Sequence, residues 1–441
     1  MNKVSQDFKE SGLEWLDQIP FDWSVRRIKD IAELRSGDAI ASEEIAPAGD
    51  YPVFGGNGVR GFTTSFTHDG HYVLIGRQGA LCGNINYAKD KFWATEHAVV
   101  ATLLRNHDAI WFGELLRTMN LNQYSNAAAQ PGLAVDRIKF LRLPVPPVVE
   151  QQRISAYLDA SCAAIDAAVA AKRRQLETLD ALRKSIIQRA VTRGFSERVA
   201  LESTGNAWME QIPRGWKLVC LKRIAEIQGG LTLGKQYEGP LVERPYLRVG
   251  NVQDGHLDLE DVSVIELPAN VAAGVELRPN DVLMTEGGDL DKLGRGHLWK
   301  GEIPGCLHQN HIFAVRCFLH KLKPMFLAYV TAAKYGRDYF EATGKKTTNL
   351  ACTNANKVGE FPIPLPPLPE QEAICIHLDE KLGELKRITS GIETQIATLT
   401  AYRKSLIHEC VTGQRRISEA DVRRAGHCPS ASASLHSANQ S

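Results

Sequence analysis

The 441-residue sequence lacks paired cysteines: its nine are scattered, odd in number, and none stands in a Cys-x-x-Cys spacing. That leaves no basis for a zinc site or a disulfide framework, and it suits a reducing cytoplasm. Long hydrophobic runs are missing as well. Nothing approaches the roughly 20 residues that a membrane helix needs, and the opening MNKVSQDFKESG lacks the apolar core of a signal peptide. No membrane partner is expected, and the expected location is cytoplasmic. An excess of one charge sign is also missing. The formal net charge is +1, so any nucleic-acid surface must be local, or a partner must supply part of the phosphate neutralisation.

Catalytic signatures are absent too. There is no N/D-P-P-Y/F methyltransferase motif and no G-x-G-x-G loop followed by a suitable acidic residue. The GKKT at Gly344 lacks the first glycine of a P-loop at the required spacing, and reads as a solvated basic loop. No catalytic, cofactor-binding or metal residue is therefore assigned. With 44% hydrophobic and 23% charged residues, the chain has an ordinary globular composition and length enough for two to three domains.

What is present is a repeat. PPVVEQQRISAYLD around Pro146 returns as PPLPEQEAICIHLD around Pro366, and Glu150, Gln151, Ile154, Leu158 and Asp159 recur as Glu370, Gln371, Ile374, Leu378 and Asp379. Upstream, WLDQIPFDWSVRRIKDIAEL from Trp15 returns as WMEQIPRGWKLVCLKRIAEI from Trp208. Two like segments thus flank unlike ones, twice over. Such a chain presents two different surfaces on two equivalent frames.

Within each frame the tryptophans are expected to pack onto the domain. Ile28, Ile31 and Leu34, and likewise Leu221, Ile224 and Ile227, stand at helical spacing, with Gly37 and Gly230 as stops. YVLIG (72–76), HAVVATLL (97–104), DVLMT (281–285) and IFAVRCF (312–318) read as strands, whereas FGGNGVRG (54–61) and EGGDLDKLGRG (286–296) read as loops. LPVPP and IPLPP then close each unlike segment, and Glu150 and Glu370 enter the first turn of a helix, where negative charge suits the dipole.

Both helices carry a heptad seam in the same register. It runs Leu158, Cys162, Ile165, Val169, Lys172, Leu176, Leu179, Arg183, Ile186, Ala190 in the first. It runs Leu378, Leu382, Leu385, Thr389, Ile392, Ile396, Leu399, Arg403, Leu406, Cys410 in the second. About 44 residues at ~1.5 Å each give a rod of roughly 65 Å. The two helices on one chain are expected to pair antiparallel and to act as a ruler. Core packing within one domain is the bland alternative. Residues 416–441, polar and rich in Ser and Ala, are expected to be disordered.

This tandem order resembles the specificity subunit of type I restriction-modification systems, and the resemblance covers nearly the whole chain. YPVFGGNGVRGFT (51–63), YVLIGRQGALCGNIN (72–86) and FWATEHAVV (92–100) look like one family of target recognition domains. YLRVGNVQDGHLDL (246–259) and DVLMTEGGDLDKLGRGHLW (281–299) look like another. One mild departure is Val149, where the second copy has Pro369. The resemblance implies an α+β fold. Two target recognition domains (1–145 and 196–365) would be separated by two long helices (146–195 and 366–415) forming an antiparallel coiled coil, with a pseudo-twofold internal repeat. It also implies a non-catalytic chain that binds bipartite double-stranded DNA. Two modification subunits would methylate adenine N6 with S-adenosylmethionine, and two restriction subunits would use ATP and Mg. All of these cofactors belong to the partners.

Base reading needs long polar side chains on loops held by a scaffold. In the first domain the candidates are Asn57, Arg60, Arg77, Gln78, Gly79, Glu96 and His97, with Gly76 and Gly79 allowing close backbone approach. In the second they are Arg248, Asn251, Lys292, Arg295, His308, Gln309, Asn310 and His311, with Lys345, Lys346 and Asn349 set against phosphate. Glu286, Asp289 and Asp291 either accept from cytosine N4 or salt-bridge the local lysine and arginine. On the helices, Glu150, Gln151, Leu158, Ile165, Leu176, Leu179, Glu370, Gln371, Leu378, Leu385, Ile396 and Leu399 are candidates for the spacer and for partner docking. From Glu150 to Gly194 there are eight Lys/Arg and five Asp/Glu, so the outer faces are either solvated or docking surfaces. A self-contained methyltransferase-recognition protein and a non-DNA interaction scaffold are the rival functions.

Overall fold

The structure, a computed structural model, describes residues 7–426 apart from 80, 126–131, 195–198, 254, 289–292, 295 and 347–350. It divides into two compact units, residues 1–173 with 393–441 and residues 174–392. The division falls within both long helices, Val148–Arg193 and Leu368–Val411.

Unit 1 is α+β. A hairpin, Phe8–Leu13 with Leu16–Pro20, leads to Ser24–Arg27, which pairs antiparallel with Arg142–Val145. An antiparallel sheet follows in the order Ala32–Ser36, Ala98–Leu103, Tyr72–Gly76, Ile85–Ala88. A second sheet runs Gly58–Thr63, Tyr51–Gly55, Lys91–Ala94, His68–Asp69, with Tyr51–Gly55 parallel to Lys91–Ala94. Tyr72–Gly76 is apolar throughout because both of its faces are covered. Val73 and Ile75 join a core with Trp111 and Phe112, whereas Leu74 joins a smaller one with Phe54 and Phe92.

Unit 2 repeats the plan. Leu201–Asn206 pairs with Met209–Pro213, and Lys217–Cys220 with Pro362–Leu365. The antiparallel sheet runs Ala225–Gly229, Ile312–Cys317, Val282–Thr285, Gly296–Leu298. Val242–Leu247 runs parallel to Leu307–His308. Val282 and Met284 face one core and Leu283 another.

Three expectations need correction. Ile28–Asp30 and Leu221–Arg223 form only single 3-10 turns, and the chain then enters the strands Ala32–Ser36 and Ala225–Gly229. Apolar spacing of three fits one tight turn, but Ala32 and Leu34 alternate with exposed Glu33 and Arg35, which is strand period. The stretch 54–61 is a hairpin turning at Gly56–Asn57. The segment after Val411 stays ordered to Gly426: Ile417 is buried and Glu419–Gly426 is helical.

The seam holds in both helices: every seam position is buried or half-buried, while Asp159, Asp166 and Glu177 are exposed. In unit 1, Leu406, Ile407, Cys410 and Val411 share a core with Ile154, Leu158, Cys162 and Ile165. The ion pairs Glu150–Arg416 and Asp166–Arg403 fix an antiparallel register there. In unit 2, Ile187, Ala190 and Val191 share a core with Ile374, Cys375 and Leu378. An 18-residue window of the first long helix reaches a mean hydropathy of 1.3. Its apolarity comes largely from alanines in 160–171, and its larger apolar side chains already pack inside unit 1.

Candidate nucleic-acid interface

In unit 1 three chain reversals meet at the end of Tyr72–Gly76. The Arg77 amide donates to the His97 carbonyl at 2.9 Å, and the Leu133 amide donates to the Arg77 carbonyl at 2.8 Å. The hairpin turn closes against them. A Cβ at Gly56 would lie 3.2 Å from the His97 carbonyl oxygen and 3.4 Å from that of Gln78, and one at Gly76 would lie 2.2 Å from the Gly56 oxygen. Glycine at both places therefore lets three turns share one spot. Gly79, at φ +90°, has open space around its Cα.

Asn57, Arg60, Gln78 and Gly79 are exposed at this end, and Arg77, Glu96 and His97 are half-buried. Arg77 Nη1 donates to Ser36 Oγ at 3.3 Å. His97 Nε2 lies 3.2 Å from Glu96 Oε1, and His97 Nδ1 and Glu96 Oε2 are buried without a partner. Asn84, which sequence reasoning did not single out, donates through Nδ2 to Asn57 Oδ1 at 2.7 Å. This fixes the Asn57 amide, and the buried Nδ2 of Asn86 stands unpaired on the same strand end. The only available signal was their place after Gly83 in a turn.

Unit 2 brings Gln309, Asn310 and His311 to the matching end of Val282–Thr285. Gln309 and Asn310 are half-buried and His311 is exposed. His311 Nδ1 lies 2.8 Å from Glu286 Oε2, so the neighbour that orients Glu286 is this histidine. Two predicted contacts are core groups instead. His308 is fully buried, with Nδ1 on the Ile312 carbonyl at 2.8 Å, on a short strand that pairs with Val242–Leu247. Asn251 is buried and spends its amide on the backbone, accepting from the Arg248 amide and donating to the Asp258 and Asp261 carbonyls. Arg248 is already paired with Asp261 at 2.8 Å. Lys345 is exposed on a short strand with Lys346. Lys292, Arg295 and Asn349, with Asp289 and Asp291, lie outside the described residues.

The helix starts are also built inward. Glu150, Gln151 and Gln371 are buried and so are not docking groups. Gln151 Oε1 accepts from the Asp108 amide at 3.0 Å while Nε2 donates to the Pro146 carbonyl. Gln371 repeats this with the Lys323 amide at 2.8 Å and the Pro366 carbonyl. Each thereby ties its long helix to the start of a domain helix, Ala109–Thr118 or Pro324–Ala332. Leu158, Ile165, Leu378 and Leu385 are buried and Leu176, Leu179, Glu370, Ile396 and Leu399 half-buried.

Residues 20–178 match the family model described as the type I restriction modification DNA specificity domain. Over those residues the chain is similar to the DNA specificity domain of type I systems. Over 138 residues it is 44% identical to the EcoprrI specificity subunit of Escherichia coli, covering 30% of this chain and 34% of that protein. The chain thus spans about a third of that relative's length. It is 22% identical to the MjaVIII specificity subunit of Methanocaldococcus jannaschii over 439 residues, 94% of this chain and 98% of that one. A solved chain from work on complex assembly and conformational transition of the type I R-M system shares the fold. Its TM-score is 0.68 at 16% identity, covering 90% of this chain and 99% of that one. What varies between the two units of this chain is the set of polar groups at the strand ends, while the cores and helix clamps repeat.

Proposed function

We propose that the chain is the DNA-selecting component of a type I restriction-modification complex. Each unit reads one short half-sequence of a bipartite site in double-stranded DNA, and the chemistry belongs to partners. Two modification subunits methylate adenine N6 with S-adenosylmethionine after flipping the base from the stack. Two restriction subunits translocate and cut with ATP and Mg. The chain itself is non-catalytic and works in the cytoplasm.

The observation that carries this function is the repeated frame with unlike polar ends. The same backbone arrangement presents Asn57, Arg60, Arg77, Gln78, Gly79, Glu96 and His97 in one unit, and Gln309, Asn310 and His311 in the other. Direct readout asks for that combination of rigid scaffold and exchangeable donors and acceptors. Lys345, Lys346, Lys292, Arg295 and Asn349 are proposed phosphate or base contacts. The net charge of +1 leaves isolated binding weak, so partners supply much of the phosphate neutralisation.

Single-molecule methylome sequencing tests it. Cells expressing this chain with its cognate methyltransferase should show a new bipartite motif carrying N6-methyladenine in each half. An assembled complex that yields no such motif would sink the function and favour a non-DNA scaffold. Methylation by the purified chain alone would favour the self-contained enzyme.

A further inference from the structure

Two side chains occupy the same place in the two units and carry opposite charge. Arg77 follows the strand Tyr72–Gly76, and Glu286 follows Val282–Thr285. Their surroundings match bond for bond. The Arg77 amide donates to the His97 carbonyl at 2.9 Å, and the Glu286 amide to that of His311 at 2.9 Å. The Arg77 carbonyl accepts from Leu133, and the Glu286 carbonyl from Thr353. The preceding residues match as well: the Gly76 carbonyl accepts from Gly83, and the Thr285 carbonyl from Gly294. The sheet register agrees, with Ala98 opposite Gly76 and Ile312 opposite Thr285.

Sequence alone hides this equivalence. Trp15 recurs as Trp208 and Glu150 as Glu370, but Arg77 to Glu286 follows neither spacing. Insertions between the repeats shift the register.

We propose that this matched position discriminates bases in both units. Arg77 donates to guanine O6 and N7 in one half-site, and Glu286 accepts from the cytosine N4 amino group in the other. This rests on the DNA-reading function above. An arginine fork fits the two guanine acceptors, whereas a carboxylate fits the cytosine amino group and repels the acceptor edge of guanine.

The histidine beside each position has an acid within reach in both units. In unit 1 the acid next to His97 is Glu96, its own neighbour, at 3.2 Å. In unit 2 the residue before His311 is Asn310, and the acid has moved to Glu286, 2.8 Å from His311 Nδ1. With side chains 50% and 25% exposed, that contact contributes little to stability. What it does is hold the Glu286 carboxylate in one orientation, which is what discrimination requires. Both positions also adjoin glycine, Gly76 and Gly79 in one unit and Gly287 and Gly288 in the other, so the backbone can approach a groove closely.

The test is the methylome of cells expressing the full chain with its cognate methyltransferase, carrying wild type, R77Q or E286Q. Each wild-type half-sequence should contain a G·C pair. R77Q should weaken discrimination at one such pair in one half by roughly tenfold or more, and E286Q should do the same in the other half alone. Unchanged motifs in both variants, effects in the same half, or a half-sequence without a G·C pair would overturn the inference while leaving the specificity function standing. A wild type without any bipartite motif would sink that function, and the inference with it. Should R77Q or E286Q give no methylation at all, R77K and E286D decide: recovery of the wild-type base preference supports the assignment, and continued loss overturns it.

Discussion

Nε1 of Trp23 donates to Oε2 of Glu150 at 3.0 Å, in the first turn of the long helix that leaves unit 1. Oε1 of the same carboxylate lies 2.8 Å from Nε of Arg416, beyond the end of the other long helix. Arg416 also pairs with Asp22 through Nη1 and Nη2, both at 2.9 Å. The entry segment, the start of one helix and the exit from the other thus meet on one buried carboxylate. Removing the guanidinium leaves Glu150 desolvated with only the indole. R416A should cost unit 1 on the order of 1–2 kcal/mol, a modest figure because Arg416 itself is half exposed. Scanning calorimetry reads this as a lowered transition. A wild-type trace from R416A would mean that the cluster is structurally idle.

The paired glutamines give a matched test. Q371A strands the Lys323 amide and the Lys321 and Pro366 carbonyls, all bonded to Gln371 in the native state. Q151A does the same to the Asp108 amide and the Pro146 carbonyl. Each buried loss should cost about 1–3 kcal/mol. The exposed neighbour Gln152 is the control, and Q152A should leave the urea midpoint unchanged. Equal midpoints for all three variants would show that the clamps contribute nothing.

Much of the architecture was legible in the sequence, because the two copies check each other. The seam is periodic over many turns and present twice, and all its positions came out covered. Tyr72–Gly76 and residues 312–315 were legible because a strand stretch buried on both faces is apolar along its length. Leu34 was misplaced because helical spacing over three residues also fits a tight turn followed by a strand. His308 and Asn251 were misplaced for another reason. Residue type marks a group as able to contact a base, but only packing shows whether it faces solvent or the strand beside it. Gln151 looked like a helix-surface residue until the Asp108 amide appeared beside it.

His308 also sets a pH dependence. A carbonyl only accepts, so Nδ1 donates to Ile312 and Nε2 carries the lone pair, buried and without a partner. Burial pushes the ring below its ordinary value of 6.5, against the opposing pull of the Ile312 bond. Between the folded and unfolded values the unfolded chain therefore binds more protons. The stability held by the neutral ring is complete above pH 6.5 and is lost as pH falls below it. Burial lowers His68, His107 and His297 in the same direction. Melting temperature should fall between pH 7 and pH 5, and H308N should show a shallower fall than the wild type. Identical slopes would show that His308 is not the titrating group.

Adjacent glycines at the end of Ala225–Gly229 should respond in opposite ways. A Cβ at Gly230 would lie 2.3 Å from the carbonyl oxygens of both His308 and Gln309, and at Gly37, its counterpart, 2.2 Å from that of Ala94. These are backbone atoms and cannot swing aside. Gly229 has nothing within 4 Å. G230A and G37A should therefore lose about 1–3 kcal/mol, whereas G229A should be neutral or gain up to about 1 kcal/mol through the unfolded chain. The displaced backbone leads directly into Asn310 and His311 in one unit, and into Glu96 and His97 in the other. G230A should then blur base preference in one half-sequence and G37A in the other, each without touching its counterpart. Thermal melts of the three variants and their methylomes check both parts. A G230A chain as stable as G229A would show that the strand end has room to give, and would remove the reason to expect any change in base preference.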